Sequence, residues 1–387
     1  VFKMTLKLES KFSVGYYNFH EHPNINFQFN RMVTNGGNLE EIKEVAIKIK
    51  DFNDWKRELV ALAEKALSEN RLLNAAVYYR GAEFFVAPDD PDKYSLYEKF
   101  IELIYKVYED LEENKINIPY DNSFLPGYHL KNNQSKGTII IFGGYDSLIE
   151  EFYKSYLYIR DAGYEVIAFE GPGQGAALKK NKLTMTHEWE KPIKAVLDHF
   201  NLKETTIIGL SLGGYLSLRA AAFEPRISKV VAFGVIYDFF QVLLYAGGPK
   251  IREMAENLLD SNQVDLFNKI MQKRMKQDLL VNWGVNHGMY IMGMKTPFEY
   301  IQKTRLFSSS DISEKITCDI LLLTGTKDHF IPLEMFYKQI EALKNVRSLT
   351  ARMFTEQENA SSHCQMDNFK LALDTILNWI EQIDNRE

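Results

Sequence analysis

At 387 residues the chain is too long for one small domain, so a large domain with an accessory one is expected. Its 45% hydrophobic and 25% charged residues are an ordinary globular balance, which excludes a disordered or fibrous chain. A net charge of −6, with Lys and Glu interspersed, gives nucleic acid no electrostatic footing.

In chain order, "VFKMTLKLESKFSVGYYNF" lacks the continuous apolar core of a signal peptide. The start at Val1 leaves a trimmed beginning open. No run of about 18 apolar residues follows, so no membrane span is expected. The two cysteines, Cys318 and Cys364, have neither a disulfide framework nor a zinc spacing. No metal and no cofactor is therefore expected, and the cytoplasm is the expected compartment.

The first third reads as helical. "NLEEIKEVAIKIKDFNDWKRELVALAEKALSEN", "RLLNAAVYYRGAEFFVA" and "DDPDKYSLYEKFIELIYKVYEDLEENK" repeat apolar residues at three- and four-residue spacing. The Asp-Pro-Asp before the third is a helix-entry signal. "AAVYYRGAEFF" has no second copy at a fixed period, which excludes a solenoid. Residues 1–112 are thus expected to form an N-terminal helical domain.

From residue 113 to 387 the pattern is that of an α/β domain with a mostly parallel central sheet. "INIPYDNSFLPGYHL" reads as short strands broken by Asp-Asn and Pro-Gly turns. "GTIIIFGG" is a strand buried on both faces. "SLIEEFYKSYLYIRDAG" is a helix with a capping-box pattern at Ser147 and Glu150 and a stop at Gly163. "YEVIAFEG", "TTIIG", "KVVAFGVI", "CDILLLTG" and "LTARMF" read as further strands, with helices between them. Residues 239–313 interrupt this alternation with helices rich in Met and aromatics. They are expected to form a cap over the sheet's C-terminal edge, where sites lie in such folds.

Gly209, Ser211 and Gly213 spell G-x-S-x-G between a strand and a helix, the context of a nucleophile elbow. The plain alternative is a serine capping a helix after a glycine turn. A serine hydroxyl needs a base, and the base needs an orienting group. Asp328 follows the strand in "LLLTGTKDHFIP", and His363 lies in "ARMFTEQENASSHCQ" between the last strand and the last helix. The order Ser, acid, His and the loop placement are both met. His329, Glu356, Glu358 and Cys364 are the competing side chains. His329 is expected beside the site and not in it, and Glu356 and Glu358 serve only if Asp328 turns away. Cys364 lacks an elbow and is expected as packing.

An oxyanion hole is expected from the Leu212 N–H and from the loop "FGGYDS", with Tyr145 as second donor and Gly144 as its alternative. "EGPGQGAA" matches G-x-G-x-x-A after a strand. Pro172 and the missing downstream acid argue against a nucleotide, leaving a loop at the rim of the site. The aromatics Tyr78, Tyr79, Phe84 and Phe85 are expected to pack on the cap and narrow the cleft.

On "IPYDNSFLPGYHL", "FGGYDSLIEEFY", "FEGPGQGAAL", "EWEKPIKAVLDHF", "GLSLGGYLSLRAAAFEPRI" and "HCQ", residues 115 to 387 resemble the α/β-hydrolase superfamily. The branch they resemble holds 2,6-dihydroxypseudooxynicotine hydrolase, fungal pigment-precursor hydrolases and fermentation–respiration-switch-type esterases. It is close to the prolyl-oligopeptidase-like acylaminoacyl peptidases. The resemblance implies a serine hydrolase cleaving an ester or amide of a small acyl substrate. C–C bond hydrolysis of acyl-phenol or β-diketone compounds is the alternative within the fold, and a non-catalytic binder is the alternative outside it. A helical, unrepeated first third takes the place of a β-propeller, which argues against peptidase activity. The expected partner is a small molecule, with neither nucleic acid nor membrane, and a homodimer is left open.

Overall fold

The computed structural model describes residues 12–386. The reading of residues 1–11 as free of a signal-peptide core lies outside the described residues. Among the described residues, eight strands form one sheet: β1 (Lys115–Tyr120), β2 (Ser123–Leu130), β3 (Thr138–Phe142), β4 (Glu165–Phe169), β5 (Thr205–Leu210), β6 (Ile227–Phe233), β7 (Asp319–Gly325) and β8 (Ser348–Phe354). Their order is β1-β2-β4-β3-β5-β6-β7-β8, with β1 and β2 antiparallel at one edge and β3 to β8 mutually parallel. The continuous apolar runs are the central strands: every residue of β5 and β7 is buried. Helices cover both faces of a parallel sheet, so neither face can stay polar.

Side chains alternate along β3 and sort into two cores. Ile139 and Ile141 join one apolar cluster, which runs through Phe29, Trp55 and Phe100 of the N-terminal helices and Ile376 and Ile380 of the last helix. Ile140 and Phe142 face the other way, into a cluster that contains Phe267, Phe298 and Ile301. Those three belong to the helices Val264–Gln277 and Pro297–Thr304, between β6 and β7. With Phe239–Leu244, Gly248–Asp260 and Leu279–Met292 they fill the region read as the interruption. No helix among the described residues is long and apolar enough to cross a membrane.

Local readings needed correction at four places. Pro126 and Gly127 do not turn the chain; both lie within β2, paired with Asn117 and Ile116. The glycine is there because a Cβ would sit 2.5 Å from the Ala168 carbonyl oxygen on the neighbouring strand. The capping role falls one residue later than Ser147 and Glu150: the Glu151 carboxylate accepts the Leu148 N–H at 2.9 Å. The long stretch from Asn38 breaks into helices Leu39–Ala46 and Phe52–Ser68. Asp51 caps the second, accepting the N–H groups of Asn53 and Asp54. The helix Pro23–Thr34 falls within the expected helical domain, but no periodic stretch was read there. Asn24, Asn26, Gln28, Asn30 and Arg31 are all buried there, so no apolar stripe marks it.

Candidate active site

Ser211 follows β5 with φ 58° and ψ −121°, a conformation that only a tightly determined turn holds in a non-glycine residue. The turn is over-determined by close neighbours. A Cβ on Gly209 would lie 1.9 Å from the Gly213 carbonyl oxygen, and Gly234 at the end of β6 runs past the Ser211 Cα. The Ser211 N–H donates to the Phe233 carbonyl at 2.7 Å. Its side chain makes no capping bond to the helix Leu212–Phe223 that follows. Instead Oγ lies 2.9 Å from Nε2 of His363.

His363 comes from the loop after β8, and its Nδ1 is 2.7 Å from Oδ2 of Asp328, which follows β7. The other Asp328 oxygen accepts the N–H groups of Phe330 and Ile331, both at 2.9 Å. Those bonds hold the carboxylate toward the imidazole. Burial disfavours the charge of Asp328, yet His363 and the Ile331 N–H keep its carboxyl below its ordinary range. Burial likewise pushes His363 down, but the Asp328 carboxylate outweighs it and holds the imidazole well above its ordinary value. Three residues far apart in sequence thus form one hydrogen-bonded chain.

Of the competing side chains, Glu356 and Glu358 are turned elsewhere, whereas Cys364 and His329 lie against the site. Glu356 pairs with Lys327 at 2.5 Å, and Glu358 pairs with Arg352. Cys364 is buried with its Sγ 3.4 Å from the Phe233 carbonyl oxygen and 3.6 Å from His363 Nε2, so it packs beside the imidazole without an elbow of its own. His329 stands beside the site, its ring 3.9 Å from that of Phe330, and burial pushes its pKa down to about 4.

The loop after β3 lies against the elbow. A Cβ on Gly144 would sit 2.6 Å from both the Leu210 carbonyl oxygen and the Leu212 nitrogen. Leu212 opens its helix, so its N–H has no intrahelical acceptor. Tyr145 is tied to the helix Leu279–Met292: its hydroxyl donates to the Gly284 carbonyl at 2.5 Å and meets the Tyr300 hydroxyl at 2.7 Å. From the other side, Arg31 binds Asp146 at 2.8 Å and Glu151 at 2.9 Å, and Arg80 donates to the Asp146 carbonyl at 2.7 Å.

Sequence reasoning missed Phe27, whose ring stands edge-on to His363 at 5.7 Å, and it missed both arginines. Arg31 and Arg80 are charged residues in otherwise buried helical stretches, and that is the signal that could have found them. Of the four aromatics expected on the insertion, Phe84 stacks on Trp283 at 4.9 Å and Phe85 meets it edge-on at 5.9 Å. Tyr78 instead donates to Glu41, and Tyr79 lies under Lys99.

The alpha/beta hydrolase fold family model matches residues 137–354. Hydrolase LUC6 of Fusarium sp is 29% identical over 349 residues, covering 79% of this chain and 82% of that protein. The 20-hydroxy-prefusarin hydrolase FUS2 of Gibberella moniliformis is 28% identical over 350 residues, with the same two coverages, 79% and 82%. The crystal structure of the 2,6-dihydroxy-pseudo-oxynicotine hydrolase superposes with a TM-score of 0.63 over 91% of this chain and 94% of that one. At 18% identity, that likeness is one of fold.

Proposed function

This chain belongs to the alpha/beta hydrolase fold family, and from that premise we propose that it is a serine hydrolase acting on a small acyl compound. The observation that carries the reading is the hydrogen-bonded chain Ser211–His363–Asp328, with its serine on a strained turn at the end of β5. Ser211 Oγ attacks the substrate carbonyl, and His363 Nε2 takes its proton and later returns it to the leaving group. Asp328 holds the imidazole with its proton on Nδ1. The N–H groups of Leu212 and Tyr145, with Gly144 as the alternative to Tyr145, receive the developing oxyanion. A covalent acyl-enzyme forms and is hydrolysed.

The same reading divides the chain into an N-terminal helical part up to residue 112, a catalytic part from 113 to 387, and a cap at 239–313. The contacts of Tyr145 with Gly284 and of Phe84 with Trp283 support a cleft enclosed by all three. An enclosed cleft admits small or slender esters and amides and limits water.

Hydrolysis of a C–C bond in an acyl-phenol or β-diketone is the second reading. It uses the same three residues and adds protonation of a carbanion leaving group. A relative is named a hydrolase of 20-hydroxy-prefusarin, a name that specifies neither an ester nor a peptide bond and leaves this reading beside the first. Product analysis with paired aryl-ester and acyl-phenol substrates separates the two.

The reading is tested with Ser211→Ala. The variant should fold as wild type, lose fluorophosphonate labelling and lose about 10⁶-fold in kcat, as triad knockouts do in other serine hydrolases. Labelling of the variant at the wild-type rate would remove Ser211 as the nucleophile.

A further inference from the structure

Three consecutive carbonyls of the loop after β3 are each held by a side chain from another part of the chain. Gln174, 4% exposed, lies in the glycine-rich loop after β4. Its Nε2 donates to the Gly143 carbonyl at 2.7 Å and to the Gly144 carbonyl at 3.2 Å. Its Oε1 accepts the Gly171 N–H at 3.0 Å, which fixes the amide's orientation. His287, on the helix Leu279–Met292, meets the Tyr145 carbonyl through Nε2 at 2.8 Å. Burial lowers His287 to about 4, so the ring is neutral at pH 7 and the nitrogen facing a carbonyl carries the proton.

The consequence follows from peptide geometry. In a trans peptide the C=O and the next N–H point to opposite sides of the chain, and the described residues contain no cis peptide bond. Holding the Gly144 carbonyl therefore aims the Tyr145 N–H, and holding the Gly143 carbonyl aims the Gly144 N–H. A hydrogen bond received at the carbonyl also polarises the peptide and strengthens its N–H as a donor. The loop itself lies on the elbow, since a Cβ at Gly144 would touch the Leu212 nitrogen.

We propose that Gln174 is the positioning residue of the oxyanion hole: by gripping the Gly143 and Gly144 carbonyls it turns the N–H groups of Gly144 and Tyr145 toward the oxygen of a substrate bonded to Ser211. His287 holds the next carbonyl from the insertion and completes the grip. This inference rests on the serine-hydrolase reading above. It assigns a task to the Gly-Pro-Gly-Gln-Gly stretch that the triad leaves unexplained.

The test compares wild type, Gln174→Glu, Gln174→Met and Ser211→Ala in the full chain. Gln174→Glu keeps the shape and the acceptor and, as the carboxylate, replaces the donor with a negative charge. Gln174→Met adds no charge to the interior and carries the test where Gln174→Glu fails to fold. The readouts are thermal melting, kcat and KM on a p-nitrophenyl ester, the rate of fluorophosphonate labelling, and affinity for an aryl boronic acid that forms a tetrahedral adduct on serine. The folded Gln174 variants should lose about 10²- to 10³-fold in kcat with KM nearly unchanged, and labelling rate and boronate affinity should fall in step. A folded Gln174→Met with wild-type kcat and labelling, beside an inert Ser211→Ala, overturns the proposal and leaves the hydrolase reading standing. A rise in KM at constant kcat also overturns it, by making Gln174 a substrate contact. An Ser211→Ala variant as active as wild type overturns the hydrolase reading and this inference with it.

Discussion

The ring of Phe27, from the helix Pro23–Thr34, stands edge-on to the imidazole of His363 with centroids 5.7 Å apart. Phe27 is 2% exposed and also packs against His329 at 5.1 Å and Phe330 at 5.5 Å. The N-terminal helices therefore form one wall around the histidine. Phe27→Ala should cost about 3–5 kcal/mol of stability through the cavity it leaves. It should also lower kcat by freeing the imidazole. Urea denaturation and kinetics on the same preparation check this; a destabilised variant with wild-type kcat would show that the wall does not steady His363.

The pair His363–Asp328 sets a pH dependence. On the serine-hydrolase reading the free enzyme needs a neutral His363, and Asp328 holds that group well above its ordinary value. The kcat/KM profile should therefore rise with pH along a limb above the ordinary imidazole pKa of about 6.5. In Asp328→Asn the largest raising influence is lost and burial opposes only that of Cys364, so the limb should move to lower pH while kcat falls about 10⁴-fold. Profiles of the two proteins with superimposable limbs would exclude this coupling.

Arg31 bridges Asp146 and Glu151, and its side chain is 8% exposed. Removing one partner from a buried ion pair strands the other charges. Arg31→Met should therefore destabilise by about 3–5 kcal/mol. Asp146 adjoins Tyr145, so activity should fall as well. Chemical denaturation gives the first quantity, and a loss below about 1 kcal/mol would show that Arg80, which meets Glu151 at 3.0 Å, compensates for Arg31.

Glu150 and Glu170 form a buried acidic pair. Glu150 accepts the Tyr128 hydroxyl at 2.8 Å, and Glu170 accepts the Ile149 N–H at 3.3 Å and the Ala176 N–H at 2.5 Å. Burial raises both carboxyls, and the charge of Glu150 raises Glu170 further. The folded protein thus keeps a proton that the unfolded chain releases in the ordinary Glu range. A raised folded pKa gives stability that is full below the unfolded value and lost as pH rises through the folded one. Wild-type Tm should accordingly fall between roughly pH 5 and pH 8, and Glu150→Gln should flatten that fall. Melting curves across this range decide it; equal slopes for the two proteins would exclude the shared proton.

The strands other than the full length of β2, the elbow and the order Ser211, Asp328, His363 are legible in the sequence. Strands buried on both faces need unbroken apolar runs, and a tight strand-to-helix turn needs glycines at fixed offsets. These are local demands, so local sequence carries them. Gly127 was misread because a glycine needed for close approach to Ala168 looks, in one dimension, like a glycine needed for a turn. The helix Pro23–Thr34 went unread because its buried Asn residues bond the irregular stretch just before it, which leaves no apolar period: Asn26 accepts the Phe19 and His20 N–H groups. Asn30, for example, donates to the Tyr17 carbonyl and accepts the Tyr17 N–H.

What the tertiary structure alone decided is how these pieces meet. The distances of 2.9 Å and 2.7 Å along Ser211, His363 and Asp328 depend on β5, β7 and β8 lying in one parallel sheet, and on loops that no short motif describes. Phe27 against His363, Arg31 on Asp146, and Gln174 and His287 on the carbonyls after β3 are contacts between distant segments. Hydrogen bonds and ring contacts act over a few ångströms in space and are indifferent to separation along the chain. A residue whose role is to hold another residue therefore leaves no spacing in the sequence by which to find it.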